Sequence, residues 1–220
     1  TLIVTLSLLV LMTTLTLTPR EATAAPATPA SRSKGLMLRL GFGVDHCDDD
    51  WCDNTDPLVF LRGSVLYRFM PYLAAGLHMG FLFQDPDYDE FWFNDTDVDT
   101  LWTYILGAEA RGILPFKQVD FWMGIVMGYS RWMVDGDWGG DEFDAWMNGF
   151  VFGWGFGADY YLFPSIALGL TFYLYKPIYD KLCYESDRHD DDCDELTSRQ
   201  EDNIGVWWSF GFTFTYHLPM

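Results

Sequence analysis

Apolar and polar residues alternate along much of this chain, most clearly in the stretch Asn203–Leu218. Every second residue there is apolar or aromatic: Ile204, Val206, Trp208, Phe210, Phe212, Phe214, Tyr216 and Leu218. The residues between them are small or polar, with one Trp. A period of two is that of a β-strand with one apolar and one polar face. Because the pattern outlasts an ordinary soluble strand and its apolar residues are large, it predicts a strand that crosses a bilayer.

Seven further stretches alternate in the same way: Gly35–Val44, Leu58–Phe69, Leu73–Gln84, Leu101–Ile113, Val119–Ser130, Asn148–Leu162 and Ser165–Tyr175. A helical interpretation fails, because the period is two and β-branched and aromatic residues dominate. Tight turns at Met70-Pro71, Leu114–Gln118 and Phe163-Pro164 alternate with long loops at Asp45–Pro57, Asp85–Thr100, Arg131–Met147 and Pro177–Asp202. The pattern predicts an all-β fold, an eight-stranded antiparallel up-and-down transmembrane β-barrel with short periplasmic turns and long external loops.

The inward faces of these strands combine glycine with a few ionisable residues. Those residues are Arg39, Arg62, Arg68, Arg111, Glu109, Asp120 and Asp159, with His78 and His217 nearby. Buried charges need partners, and a barrel of eight strands has room only for side chains. We therefore expect a paired, hydrogen-bonded network that fills the lumen. A narrow polar path for small solutes is the alternative.

The charge of the chain changes this picture in two ways. The net charge of −19 argues against nucleic acid as a partner, because that partner requires a basic surface. All but four of the 32 acidic residues fall in the four long loops. None falls on the predicted lipid-facing side of a strand, where charge is costly.

The N-terminal segment differs from the rest. Leu2–Leu17 is apolar, and Ala22-Thr23-Ala24 has the small-residue pattern of a cleavage site. We expect a signal peptide at 1–24, a short linker at 25–34 and a barrel domain at 35–218. A transmembrane anchor is the weaker alternative, because the apolar run is short and an Ala/Pro/Ser segment follows it.

The acidic loops contain carboxylates at the spacing of oxygen ligands for Ca²⁺: Asp85, Asp87, Asp89, Asp95, Asp97, Asp99, Asp135 and Asp137. None of these groups fits the twelve-residue EF-hand loop. The competing interpretation is a solvated negative surface. We expect at most weak binding of divalent cations at several sites, bridging to lipopolysaccharide phosphates, and no other cofactor.

Four cysteines, Cys47, Cys52, Cys183 and Cys193, all lie in predicted external loops. Their even number suits an oxidising compartment. Disulfides within each loop are the simplest pairing. Disulfides between the first and last loops are an alternative, because the first and last strands of a closed barrel are neighbours. Zinc bound by four thiolates is a minor alternative.

Two further groups of residues bear on function. His46, His189 and Ser130 show no triad spacing, so the sequence does not predict an enzyme, and a lipid-modifying activity is the alternative. Aromatic residues gather at both ends of the strands, as in interfacial girdles. The external set is Trp102, Trp132, Trp146 and Trp208, and the periplasmic set is Tyr67, Phe69, Tyr72, Phe121, Tyr160, Phe163 and Tyr216.

Over Gly35–Leu218 the chain resembles the small outer-membrane barrels of Gram-negative bacteria, the OmpA/OmpX/OmpW-like group. The resemblance implies a monomer in the outer membrane with its loops facing the cell exterior, in contact with outer-membrane lipid and lipopolysaccharide. Its roles would be structural, adhesive or concerned with small solutes. In that group the barrel-insertion machinery reads the last strand, and Gly211, Phe212, Phe214, Tyr216 and Leu218 look like that signal. Here Pro219-Met220 follows, in place of a terminal Phe.

Overall fold

The structure, a computed structural model, describes residues 34–48, 55–56, 58–86, 96–138, 141–186, 189–196 and 205–220. The predicted signal peptide and most of the predicted linker lie outside these residues. Within the described ranges the chain forms ten strands. They are β1 (Gly35–Asp48), β2 (Thr55–Asp56), β3 (Leu58–Met70), β4 (Leu73–Pro86), β5 (Thr96–Phe116), β6 (Val119–Trp138), β7 (Asp141–Phe163), β8 (Ile166–Ser186), β9 (His189–Glu195) and β10 (Val206–Pro219).

Eight of the described strands close into a ring in which each pairs with its neighbours in antiparallel fashion. The order is β10-β1-β3-β4-β5-β6-β7-β8, and a β10–β8 pairing completes the circle. The short strands β2 and β9 add to β4 and β8 outside this ring. The predicted eight-stranded antiparallel barrel is therefore confirmed. Among the described residues, no helix is long and apolar enough to cross a membrane.

The two faces of the ring differ as the alternation predicts. Along β10 exposed and buried residues alternate, with Phe212 exposed and Gly211 and Thr213 buried. The large apolar side chains of all eight strands are mostly on the outside, which forms a continuous apolar band of the kind that contacts lipid. All seven aromatic residues predicted for the periplasmic girdle are exposed on this outer surface, close to the short turns.

Four strands run much further than the sequence predicts. β6 extends to Trp138 and β7 begins at Asp141, so the predicted loop Arg131–Met147 is largely a hairpin. β8 likewise continues to Ser186, and β5 begins at Thr96. Outside a bilayer a strand needs only a partner for its backbone, so acidic residues there interrupt the apolar alternation that marks a span. We call these extensions (96–100, 131–138, 141–147 and 176–186, with β9) the hairpin wall.

A cluster of apolar side chains lies in the mouth of the barrel beneath the hairpin wall. Met147, Tyr179 and Leu196 are buried together, and Trp132 and Leu182 pack against them. The prediction that Trp132 belongs to the lipid-facing girdle is wrong. β6 keeps its alternation beyond Ser130, so Trp132 has the lumenal parity of Thr103, its partner on β5.

Candidate functional site

The lumen is the place where the barrel concentrates polar chemistry, and glycine on β7 provides the room. Gly153 and Gly155 face the rings of Tyr175 and Tyr173 on β8. A Cβ atom on Gly153 would lie only 2.6 Å from the Tyr175 ring. The two tyrosine rings stack on each other with centroids 5.6 Å apart. The residues predicted to line the lumen (Arg39, Arg62, Arg68, Arg111, Glu109, Asp120, Asp159 and His78) are all buried on this inner face.

Glu109 is the centre of the network, and both of its carboxylate oxygens are engaged. Oε1 accepts hydrogen bonds from the Arg111 guanidinium at 2.5 Å and from the Tyr173 hydroxyl at 2.7 Å. Oε2 accepts one from Ser64 Oγ at 2.9 Å and lies 3.1 Å from His78 Nδ1. The four partners come from β3, β4, β5 and β8, so one carboxylate links strands that are not neighbours.

Arg62 is held by aromatic rings more than by carboxylates. Its guanidinium carbon lies 3.9 Å from the centroid of Tyr173 and 4.4 Å from that of Phe60. Nη2 donates to Ser209 Oγ at 2.6 Å. Such contacts favour a guanidinium over an ammonium, because the guanidinium is planar and weakly hydrated.

Two further ion pairs lie nearer the short-turn end. Arg39 Nη2 lies 3.1 Å from Asp159 Oδ1 and also donates to Thr213. Arg68 Nη1 lies 2.7 Å from Asp120 Oδ2, and its Nε and Nη2 both donate to the carbonyl of Pro71 in the adjacent turn. Tyr161 donates to the same Asp120 oxygen at 3.1 Å. His217, on the closing strand, is also fully buried.

The structure adds Asp45 to this set and corrects the prediction that placed it in the first external loop. β1 continues past Val44, and Asp45 is buried on the lumenal side opposite Ser209. The sequence contained the signal for this. Asp45 has the same parity as Arg39, Gly41 and Gly43, so extending the alternation by one residue would have placed it inside.

The predicted calcium ligands fall into two groups. Asp87, Asp89 and Asp95 lie outside the described residues. Asp85, Asp97, Asp99, Asp135 and Asp137 lie in strands, where the register places Asp97, Asp137 and Glu142 in one cross-strand row and Asp135, Asp144 and Glu185 in another. In the part of the chain that the structure describes, no three His, Cys, Asp or Glu side chains are arranged to hold a metal ion.

The second of these acidic rows lies in the hairpin wall and shows the effect of like charges placed side by side. Asp135 and Asp144 are direct partners across β6 and β7. Partial burial, the Asp135 charge and a hydrogen bond with Asp135 raise the pKa of the Asp144 carboxyl above its ordinary value. The row therefore holds repulsion that a bound cation or a proton would relieve.

The cysteines of the last predicted loop form a disulfide. Cys183 on β8 and Cys193 on β9 are direct register partners with Cα atoms 4.1 Å apart, and a disulfide joins them. For this pair the alternative of a cross-loop bridge is excluded. The backbone of Cys47 belongs to β1, and Cys52 lies outside the described residues.

The residues considered for catalysis do not converge. Ser130 is buried on the lumenal face and its Oγ lies 3.0 Å from the Tyr179 hydroxyl. The His46 ring packs against Trp208 of the outer face, with centroids 5.1 Å apart. The wall of the barrel therefore separates these two side chains. His189 begins β9, in the hairpin wall.

No family model matches the sequence, and no curated protein matches it. Solved structures do match. Neisserial surface protein A is 12% identical over 84% of this chain and 97% of its own length, with a TM-score of 0.55. A major outer membrane protein from Thermus thermophilus is 14% identical over 84% of this chain and 99% of its own, with a TM-score of 0.64. The likeness is one of fold, and that fold is the small outer-membrane β-barrel.

Proposed function

We propose that this protein is an outer-membrane barrel with a closed lumen, and that it acts at the cell surface in a structural or interaction role through its hairpin wall. The outer face supports a membrane position, because a band of exposed apolar side chains ends in aromatic residues. The length of β5–β8 supports a surface role, since these strands continue well beyond what a bilayer requires.

One observation carries the proposal: buried side chains occupy the lumen at three levels between its two ends. The apolar cluster around Met147 closes the mouth, the Glu109 network fills the middle, and the pair of Arg68 and Asp120 lies at the short-turn end. Charged groups buried and paired in this way stabilise a plug, whereas a pore would leave them facing water.

A narrow path for water or small solutes is the second candidate, and one feature favours it. Arg39, Arg62 and Arg111 are each almost fully buried, and in each the Nη1 atom has no protein hydrogen-bond partner among the described residues. Buried donors of this kind are usually hydrated. Water inside the plug is compatible with closure to ions.

The acidic residues of the hairpin wall shape the interaction role. We expect weak, multi-site binding of divalent cations or of cationic partners, because rows such as Asp135, Asp144 and Glu185 place like charges side by side. A non-enzymatic role fits the separation of Ser130 from His46 by the barrel wall. We also propose that the barrel-insertion machinery reads the alternating outward aromatic residues of β10.

Planar-bilayer recording of the refolded full chain tests the closed lumen. We expect no stepwise conductance from the wild-type protein. A Tyr173→Ala/Tyr175→Ala variant, which empties the middle of the lumen, should conduct and so serves as the positive control. Regular ohmic steps from the wild type would overturn the closed-barrel proposal.

Labelling of intact cells tests the orientation. An epitope inserted between Gly139 and Gly140, in the sequence that connects β6 to β7, should be accessible to antibody without permeabilisation. An epitope inserted after Lys117, in the turn between β5 and β6, should become accessible only after permeabilisation. The reverse pattern would contradict a wall that faces the exterior.

A further inference from the structure

Three hydrogen-bond donors lie side by side on the outer face at the base of the hairpin wall. Arg131 on β6 is the register partner of Asn148 on β7, which is in turn the partner of Lys181 on β8. Directly opposed residues on one face of a sheet have Cβ atoms about 5 Å apart. The residues next to them in sequence, Trp132, Met147 and Leu182, pack into the lumenal cluster, so these three face outwards. We call them the donor row.

Neighbouring side chains orient the donor row. The Asn148 Oδ1 atom already accepts a hydrogen bond from the Tyr129 hydroxyl at 2.6 Å, so its amide nitrogen is the group left to donate. The Arg131 guanidinium carbon lies 5.2 Å from the centroid of the Trp146 ring. The Nε atom of Arg131 is buried and has no hydrogen-bond partner within the described residues. The row therefore has donor capacity that the protein itself does not use.

Among the described residues, the outward basic side chains away from the short-turn end all lie on this side of the barrel. Of the Lys and Arg residues that the structure describes, four are buried in the lumen, and Lys34 and Lys117 lie at the short-turn end. The others, Arg131, Lys176 and Lys181, all belong to β6 and β8. Within the described ranges, the external end of the outer face thus has one basic side.

Acidic residues lie beside the donor row and beyond it. Glu195 on β9 is the register partner of Lys181, and Asp180, which precedes Lys181 on β8, is exposed. The acidic row of Asp135, Asp144 and Glu185 lies further from the membrane. An anion that approaches from solution would therefore meet that acidic row before it reaches the donors. This arrangement fits a ligand that is anchored in the bilayer better than one that arrives from solution.

We propose that the donor row binds a phosphate group of lipopolysaccharide in the outer leaflet. This inference rests on the proposed position of the hairpin wall at the cell surface. Aromatic residues such as Trp146 occupy the interface, where lipid phosphates lie, and Arg131 has the planar fork that suits a phosphate. Lys181 supplies a second positive charge, and Asn148 donates a neutral hydrogen bond.

Lipid titration of the refolded full chain in detergent tests the site, with bound lipid counted by native mass spectrometry. The ligands are bisphosphorylated lipid A, its dephosphorylated form and phosphatidylglycerol. We expect wild type to prefer bisphosphorylated lipid A. An Arg131→Gln/Lys181→Gln variant should bind it about 30-fold more weakly, since each cation near a membrane phosphate contributes about fivefold. Lys117→Gln, which removes an exposed cation at the opposite end, should bind like wild type.

Folding is checked first by the gel-mobility shift on boiling. Failure of the proposed membrane barrel and failure of the proposed lipid site then give different results. Wild type that shows no shift contradicts the proposed membrane barrel itself. If the barrel folds but Lys117→Gln weakens binding as much as the double variant, the donor row is not the site. Equal binding of dephosphorylated lipid A or of phosphatidylglycerol would also overturn the assignment. Lys181→Glu changes an exposed side chain only, so it tests the site even if the double variant misfolds, and it should bind more weakly than wild type.

Discussion

The hydroxyl of Tyr173 on β8 donates to Oε1 of Glu109 on β5 at 2.7 Å, although β6 and β7 separate these two strands in the ring. The same oxygen accepts from the Arg111 guanidinium. The backbone ladder of a barrel ties each strand only to its neighbours, whereas this carboxylate ties strands across the lumen. The network should therefore contribute to the stability of the ring as a whole.

Replacing Glu109 with Gln should destabilise the folded barrel by roughly 3–5 kcal/mol, because Arg111 would remain buried without its carboxylate. Urea titration, followed by the loss of the folded band on an unboiled gel, measures the change. Asp194→Asn, at an exposed position of β9, is the control and should leave the midpoint unchanged. Equal midpoints for Glu109→Gln and wild type would show that the lumenal network is not stabilising.

Gly155→Ala should destabilise the barrel by about 1–3 kcal/mol, because the new methyl group would overlap the Tyr173 ring and displace its hydroxyl from Glu109. Gly112→Ala is the control, since a Cβ atom there lies on the lipid-facing side, 3.9 Å from the nearest carbonyl oxygen. The same urea titration compares the two variants. If both were equally tolerated, the side chains around Tyr173 would not be closely packed.

Removing the disulfide with Cys183→Ser/Cys193→Ser should loosen the β8–β9 hairpin and leave the barrel folded. A disulfide between cysteines 10 residues apart stabilises the segment that it closes by about 2–3 kcal/mol. Limited trypsin digestion should cut the variant faster at Lys181, while the gel-mobility shift on boiling remains. Wild type treated with a reducing agent should behave like the variant; wild-type resistance in the reduced state would contradict a stabilising role.

The Asp144 carboxyl should make the β6–β7 hairpin sensitive to pH. Partial burial and the neighbouring Asp135 raise its pKa, so its charged form is disfavoured in the folded hairpin. The hairpin is then more stable below this raised pKa, and it loses that stability as the pH rises through it. Asp144→Asn should slow amide hydrogen exchange in the hairpin at neutral pH.

The difference in amide exchange rate between Asp144→Asn and wild type should become smaller in acid, because the wild-type carboxyl is then itself protonated. Asp180→Asn, an exposed change in the same wall, is the comparison. Exchange rates must first be corrected for their intrinsic pH dependence. A difference that stayed constant with pH would mean that the substitution acts through packing and not through charge.

The period-two pattern was sufficient to predict the strands that cross the membrane, because lipid on one side and a packed lumen on the other constrain every residue. It failed where those constraints end. The pattern predicts loops at Asp45 and Trp132, because the outward positions nearby are no longer apolar. In the structure both residues continue the alternation on the lumenal side, where they pair with Ser209 and Thr103.

The internal geometry of the network was less accessible to prediction. Parity identifies Arg62 and Glu109 as lumenal, but it does not indicate which partner each contacts. Arg62 packs on aromatic rings, and Glu109 bonds to a tyrosine three strands away. Those contacts depend on the tilt and stagger of the strands, which a single sequence does not specify.

Strands of unequal length make one side of the barrel taller than the other. β3 has 13 residues and β7 has 23, a difference that raises one side by roughly 25 Å for a strand tilt of about 40°. In the proposed orientation, the tip of the β6–β7 hairpin clears the headgroup layer. Molecules too bulky to approach the lipid can still touch that tip, whereas β1 and β3 end close to the bilayer surface.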